Sequence, residues 1–132
     1  MTVFLDTGFI LALTDSRDVN YEKAGKFKAK IEEFDLAFIS DYIFDEVMTF
    51  IASRQSASKA RKIGKEILES DLEIINITPE LFEKSWKLFN ERENLSFTDC
   101  STVVVARQFR IKNIATFDSG FNQFRNEIHA LP

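Results

Sequence analysis

Strand-like and helix-like stretches take turns along the whole chain, and this alternation narrows the possible folds more than any other feature. "TVFL" (2–5) is a short β-branched and aromatic run, and "ILAL" continues as a helix after it. Over residues 20–34, Tyr21, Ala24, Phe27, Ile31 and Phe34 recur on one helical face. "LAFIS" (36–40) reads as a strand. Residues 41–54 are helical, with Ile43, Phe44, Val47, Met48, Phe50 and Ile51 on a wide apolar arc. A further helix over 56–70 turns Ala57, Ala60, Ile63, Gly64 and Ile67 inward. "LEIINI" (72–77) is a strand, and Pro79 opens a helix where its missing N–H costs nothing. A helix over 97–110, a strand over 113–117 and a short strand over 126–129 complete the chain. Strands separated by helices require a parallel sheet covered on both faces. With right-handed crossovers, the result is a three-layer α/β/α sandwich.

The 132 residues form one expected domain, residues 1–132, with no linker, repeat or low-complexity segment. Fourteen phenylalanines supply much of the apolar volume. No apolar run approaches the roughly 18–20 residues of a membrane span. The first residues, "MTVFLDTGF", lack a basic region before an apolar stretch, so no signal peptide is expected. Cys100 is the only cysteine, which excludes an internal disulfide framework and fits a reducing cytoplasm. Its apolar flanks fit a buried small hydrophobe. One histidine, His129 near the C-terminus, disfavours a Ser-His or Cys-His mechanism. The net charge of −4 argues against non-specific nucleic-acid binding over the whole surface.

Within "NLSFTDCSTVVVARQFRIKNIATFDSG" (94–120), Asp99 and Asp118 lie beside runs that read as buried. A buried, unpaired carboxylate is expensive. Asp6 ends the first strand in "VFLDTGF", and Asp118 ends the fourth in "ATFDSGF". Open α/β sheets bind ligands beyond the carboxyl ends of their strands, where both residues lie. Each could equally cap the next turn or helix. Ser96 and Asp99 have the spacing of a capping box, so Asp99 could serve only the first helical turn. At about 100° per residue, however, Asp99 falls between Val103 and Ala106 on an inward stripe. Glu46 borders the apolar arc of its helix, whereas its neighbour Asp45 points to solvent.

If the four carboxylates converge, they repel. Two like charges about 4 Å apart cost roughly 1 kcal/mol in water and 4 kcal/mol at an effective dielectric near 20. No Lys or Arg stands beside these motifs, so the acids take up protons or a cation neutralises them. An all-oxygen donor set favours Mg²⁺ or Mn²⁺ over Zn²⁺. Such ions could align water for attack on phosphorus. The stretch "SRQSASKARKIGKE" carries Arg54, Lys59, Arg61, Lys62 and Lys65, either a solvated helix face or a contact for a phosphate backbone.

The order of "VFLDTGFILAL", "DEV" around Glu46, "LSFTDCSTVVVA" and "IATFDSGF" resembles the PIN domain, the fold of VapC-type toxins and related ribonucleases. The resemblance runs along the whole chain. It implies a sheet of about five strands in the order 3-2-1-4-5. It implies an acidic metal-binding set of Asp6, Glu46, Asp99 and Asp118, with Thr7, Ser96 and Thr116 as supporting hydroxyls. The implied activity is Mg²⁺- or Mn²⁺-dependent cleavage of RNA in the cytoplasm, often by a homodimer, with a small antitoxin protein as partner of toxin members. Cys100 stands where the family usually has Ala. Two rivals remain: a phosphatase or phosphoacceptor domain with Asp6 as nucleophile, and a non-catalytic interaction module. The first usually wants a second Asp near the first or a Lys after a later strand, and neither "FLDTGF" nor "EIHALP" supplies one.

Overall fold

A computed structural model describes residues 1–132. Strands β1 (Thr2–Leu5), β2 (Leu36–Ser40), β3 (Glu73–Ile75), β4 (Asn113–Ala115) and β5 (His129–Leu131) form one sheet in the order β3-β2-β1-β4-β5. All four pairings are parallel, with Phe4 opposite both Phe38 and Ile114. Helices α1 (Thr7–Thr14) and α2 (Tyr21–Ile31) join β1 to β2, and α3 (Asp41–Arg54) and α4 (Ala57–Glu69) join β2 to β3. Helices α5 (Pro79–Glu91) and α6 (Phe97–Phe109) carry the chain back across the sheet to β4. Right-handed crossovers moving in opposite directions lie on opposite faces. Accordingly, α1 packs on α2 and α3, α3 on α4, and α5 on α6. The expected three-layer α/β/α sandwich is the fold, with the expected strand order.

The helix starts are fixed locally. Ser40, Ser56 and Thr78 each accept a hydrogen bond from the backbone N–H three residues on, at 3.0–3.2 Å. Pro79 occupies the first turn of α5, where its imide nitrogen removes no needed donor. The sheet's central strands hold the core: Val3, Phe4, Ile39 and Ile114 are wholly buried. Helix α6 is the most enclosed element, buried at every residue from Asp99 to Ala106, as its apolar run of valines requires. Cys100 is buried within it.

Several expected boundaries move. The last strand is His129–Leu131 rather than 126–129, because Phe124 O accepts the N–H groups of Glu127 and Ile128 in a turn that delays sheet entry. Strand β3 shrinks to Glu73–Ile75. Helix α2 ends at Ile31, and the backbone of Asp35 is already bonded to Met1 O. Ala57 is exposed at the first turn of α4 instead of facing inward. Tyr21 and Phe50 are exposed despite lying on apolar arcs. Arg54 belongs to the last turn of α3, separated from the lysines of α4 by a break at Gln55 and Ser56, whose N–H groups both reach Ile51 O. No helix is long and apolar enough to cross a membrane.

Candidate active site

Asp6 is the first residue beyond β1, and its N–H donates to Ala115 O at 3.0 Å, tying the ends of β1 and β4 together. It occupies the N-cap position of α1, yet its side chain makes no capping bond. The carboxylate instead accepts from Thr116 Oγ1 at 2.7 Å. Only 5% of the residue is exposed. Burial pushes its pKa up to about 7, opposed by the Thr116 hydroxyl and aided by the charges of Asp99 and Asp118.

Thr116 has a second task. Its hydroxyl also accepts from the N–H of Asp118 at 3.0 Å, so one side chain fixes both acids that follow neighbouring strands. The Asp118 carboxylate accepts from Gly120 N at 2.7 Å and caps a 3₁₀ turn over Ser119–Phe124. That turn lies hard against the approach to α6. A Cβ on Gly120 would stand 3.0 Å from Leu95 and 3.2 Å from Asn94 O, so glycine permits the approach that brings Asp118 toward Asp99.

Asp99 closes a capping box with Ser96: Asp99 N donates to Ser96 Oγ at 3.0 Å, and Ser96 N to Asp99 Oδ2 at 3.1 Å. The residue is 8% exposed. Burial raises its pKa, the Ser96 N–H opposes this, and the negative charges of Asp118 and Glu46 raise it further. Glu46, half-buried in α3, accepts from Thr7 Oγ1 at 2.6 Å. Asp45 beside it is exposed, as expected.

All four acids therefore lie around the carboxyl edge of the sheet. Asp6 and Asp118 follow strand ends, α3 starts directly at the end of β2, and α6 runs toward the start of β4. None takes part in an ion pair of this chain. In this arrangement no three of them approach closely enough to share one ion, and each is held by a nearby hydroxyl or N–H. The donor chemistry nonetheless fits a hard dication: clustered carboxylates, two of them buried, uncompensated by any side-chain cation. His129 pairs with Asn113 at the start of β4, on the opposite edge of the sheet, so imidazole is absent from the cluster.

The basic residues divide. Arg54 lines a groove of about 530 Å³ together with Thr7 and Glu46. Lys59 and Lys62 line a different groove with Leu13, Ile63 and Ile67, and Lys59 Nζ donates to Thr14 O at 2.9 Å. Arg61 is exposed on α4, and Lys65 pairs with Glu69 at 3.9 Å. Sequence reading missed the groove between α1 and α3. The spacing of Glu46, Phe50 and Arg54, one helical turn apart each time, was its available signal.

Comparison with curated proteins gives no significant match. Among solved structures, the chain is similar to VapC20 of Mycobacterium tuberculosis, a sarcin–ricin-loop-cleaving toxin. The TM-score is 0.83 at 25% identity, covering 93% of this chain and 95% of that one. The fold also matches VapBC2 of Rickettsia felis bound to a promoter DNA fragment, with TM-score 0.70 at 17% identity over 100% of both chains. A toxin–antitoxin complex from Klebsiella pneumoniae matches with TM-score 0.68 at 20% identity, over 98% of this chain and 96% of that one. Among protein families, the PIN domain matches residues 3–127. The chain belongs to the PIN domain family.

Proposed function

We propose that this protein is a Mg²⁺- or Mn²⁺-dependent endoribonuclease and the toxin of a toxin–antitoxin pair. One observation carries the reading: Asp6 is buried, carries a pKa near 7, and feels Asp99 and Asp118 with no cationic side chain to offset them. Asp6 and Asp99 would be the principal metal ligands, with Glu46 and Asp118 completing the shell or acting through water. When bound, the ion neutralises these charges and makes water a better nucleophile toward phosphorus. Thr116 holds the Asp6 and Asp118 ends in register, Thr7 aims Glu46, and the Ser96 cap fixes the rotamer of Asp99. Hydrolysis leaves a 3′-hydroxyl and a 5′-phosphate. Of the basic residues, Arg54 contributes a phosphate contact in the groove that begins at Glu46, whereas Lys59, Arg61, Lys62 and Lys65 lie on α4, outside that groove, and would meet a more distant stretch of backbone.

The toxin–antitoxin complexes among the similar structures support a small antitoxin as partner. A contiguous aromatic surface supports a homodimer: Phe82, Trp86 and Phe89 of α5 are 38–56% exposed and continue through Phe97 to Tyr42. The reducing cytoplasm, where RNA is available, is the proposed location.

Incubation with an RNA pool in Mn²⁺, then in EDTA, tests the proposal. Cleavage that stops with chelator and disappears in Asp6→Asn supports it. Cleavage indifferent to both rejects it, and a covalent acyl-phosphate on Asp6 would favour the phosphatase reading.

A further inference from the structure

The crease between α1 and α3 leads away from the carboxylates. One wall carries Glu46, Phe50 and Arg54, at i, i+4 and i+8 of α3, a line spanning ~12 Å of helix. The other wall begins at Thr7, the donor to Glu46, and continues through Gly8. A Cβ built on Gly8 meets nothing within 4 Å, so the wall there faces open space.

Phe50 is 39% exposed, and the Arg54 guanidinium lies over its ring at 4.8 Å from the centroid. None of the chain's ion pairs uses Arg54. Arg17, which lines the neighbouring groove with Phe50, differs: Asp15 binds its guanidinium through two contacts at 3.0 and 3.1 Å. Arg54 is thus the cation in this crease whose donors are uncommitted. Asp45 and Glu46 line the same groove, so Arg54 offers a single positive point there rather than a basic stripe.

We infer that Phe50 and Arg54 form a nucleotide subsite for single-stranded RNA, in which an unpaired base stacks on the Phe50–Arg54 pair and Arg54 binds the adjoining phosphate, setting which phosphodiester reaches Glu46 and Asp6. Flat aromatic and guanidinium faces stack bases without regard to sequence, and the guanidinium edge suits phosphate oxygens. The subsite rests on the nuclease reading for its biological use, but its binding is measurable without hydrolysis.

Fluorescence anisotropy with a labelled ten-nucleotide oligouridylate, in the full-length Asp6→Asn background, supplies the measurement. Phe50→Ala and Arg54→Ala are each expected to weaken binding about tenfold, and Phe50→Trp to retain it. Arg54→Ala should also lower the salt dependence by about 0.7 in log–log slope, the loss of one phosphate contact. With a single abasic nucleotide at the stacking position, Phe50→Ala should lose its effect. Gly8→Leu, whose Cβ meets nothing within 4 Å, adds bulk to the wall of the groove and should weaken binding similarly. Lys112→Ala, beside the amino edge of the sheet, is the unaffected control.

Equal affinity across Phe50→Ala, Arg54→Ala and Gly8→Leu overturns the subsite, as does failure of the oligonucleotide to bind at all. Wild-type protein that cleaves RNA with Mn²⁺ while these variants bind normally leaves the nuclease reading intact and removes only the subsite. Binding that depends on Phe50 and Arg54 in a protein without hydrolysis does the reverse.

Discussion

Asp6 and Asp118 end two look-alike segments, "VFLDTGF" and "ATFDSGF", on adjacent parallel strands, yet they carry different burdens. Asp6 is buried and free of capping duty, held chiefly by the Thr116 hydroxyl. Asp118 is exposed and spends one oxygen on Gly120 N. The difference follows from what comes next. Helix α1 starts directly at Thr7, whereas β4 leads into the 3₁₀ turn Ser119–Phe124, whose start leaves Asp118 exposed. The same short motif thus yields a costly buried carboxylate after β1 and an exposed one after β4. Function is expected to track that cost.

The largest expected contrast is in catalysis. Asp6→Asn should lower kcat/KM for RNA cleavage by on the order of 10³-fold, as for loss of a central electrostatic group. Asp118→Asn should lower it only about 10–100-fold, as for a supporting ligand. Equal losses would erase the distinction.

Stability should reverse the order of harm. Without metal at pH 8, Asp6→Asn should stabilise the fold by on the order of 2–4 kcal/mol, since the folded-state pKa lies near 7 against an ordinary 3.8. Asp118→Asn should change stability by no more than about 1 kcal/mol, because asparagine still caps. Urea melts of the two variants measure this directly.

The pH dependence sharpens the same point. Asp6 holds its proton more tightly folded than unfolded, so the native state binds more protons between pH 3.8 and about 7. Stability of the metal-free protein should therefore fall as pH rises through that window, with Asp99 acting in the same direction. Asp6→Asn should flatten the curve, and saturating Mg²⁺ should lift its alkaline side. A metal-free protein whose stability rises over this range would contradict the burial of Asp6.

Thr116→Val removes the hydroxyl that joins the two acids. Its expected cost is about tenfold in activity, partly recovered by raising the metal concentration. The smallest effect belongs to Gly120→Ala, where the new methyl meets Leu95 and Asn94 O at 3.0–3.2 Å. About 1 kcal/mol of stability and a modest fall in metal affinity are expected, read from a thermal melt and a Mn²⁺ titration.

Much of this is legible in the amino-acid sequence itself. Alternating strand and helix periods dictate the parallel sheet, and Asp6 and Asp118 sit at strand ends because each follows an apolar run. Asp99 shows where sequence logic divides too sharply. The sequence offers capping and burial as alternatives, and the residue does both, one carboxylate oxygen closing the box while the helix around it is enclosed. Arg54 shows the opposite limit. Charge density along the chain groups it with Lys59, Arg61, Lys62 and Lys65, but the break at Gln55 places it on another helix and another groove. The late start of β5 has a similar origin, since a turn accepted by Phe124 O leaves no periodic signature.

The enclosure of α6 has a consequence for how such a domain can change. Amide hydrogen exchange should be slowest between Asp99 and Ala106, where opening requires most of the interior to come apart. One acid is thus mounted on the stiffest part of the molecule, while Phe50 and Arg54 sit on a solvent-facing flank. On the proposed reading, substitutions at Phe50 and Arg54 would alter nucleotide contacts on α3 while Asp99 stays fixed by the enclosed helix that carries it.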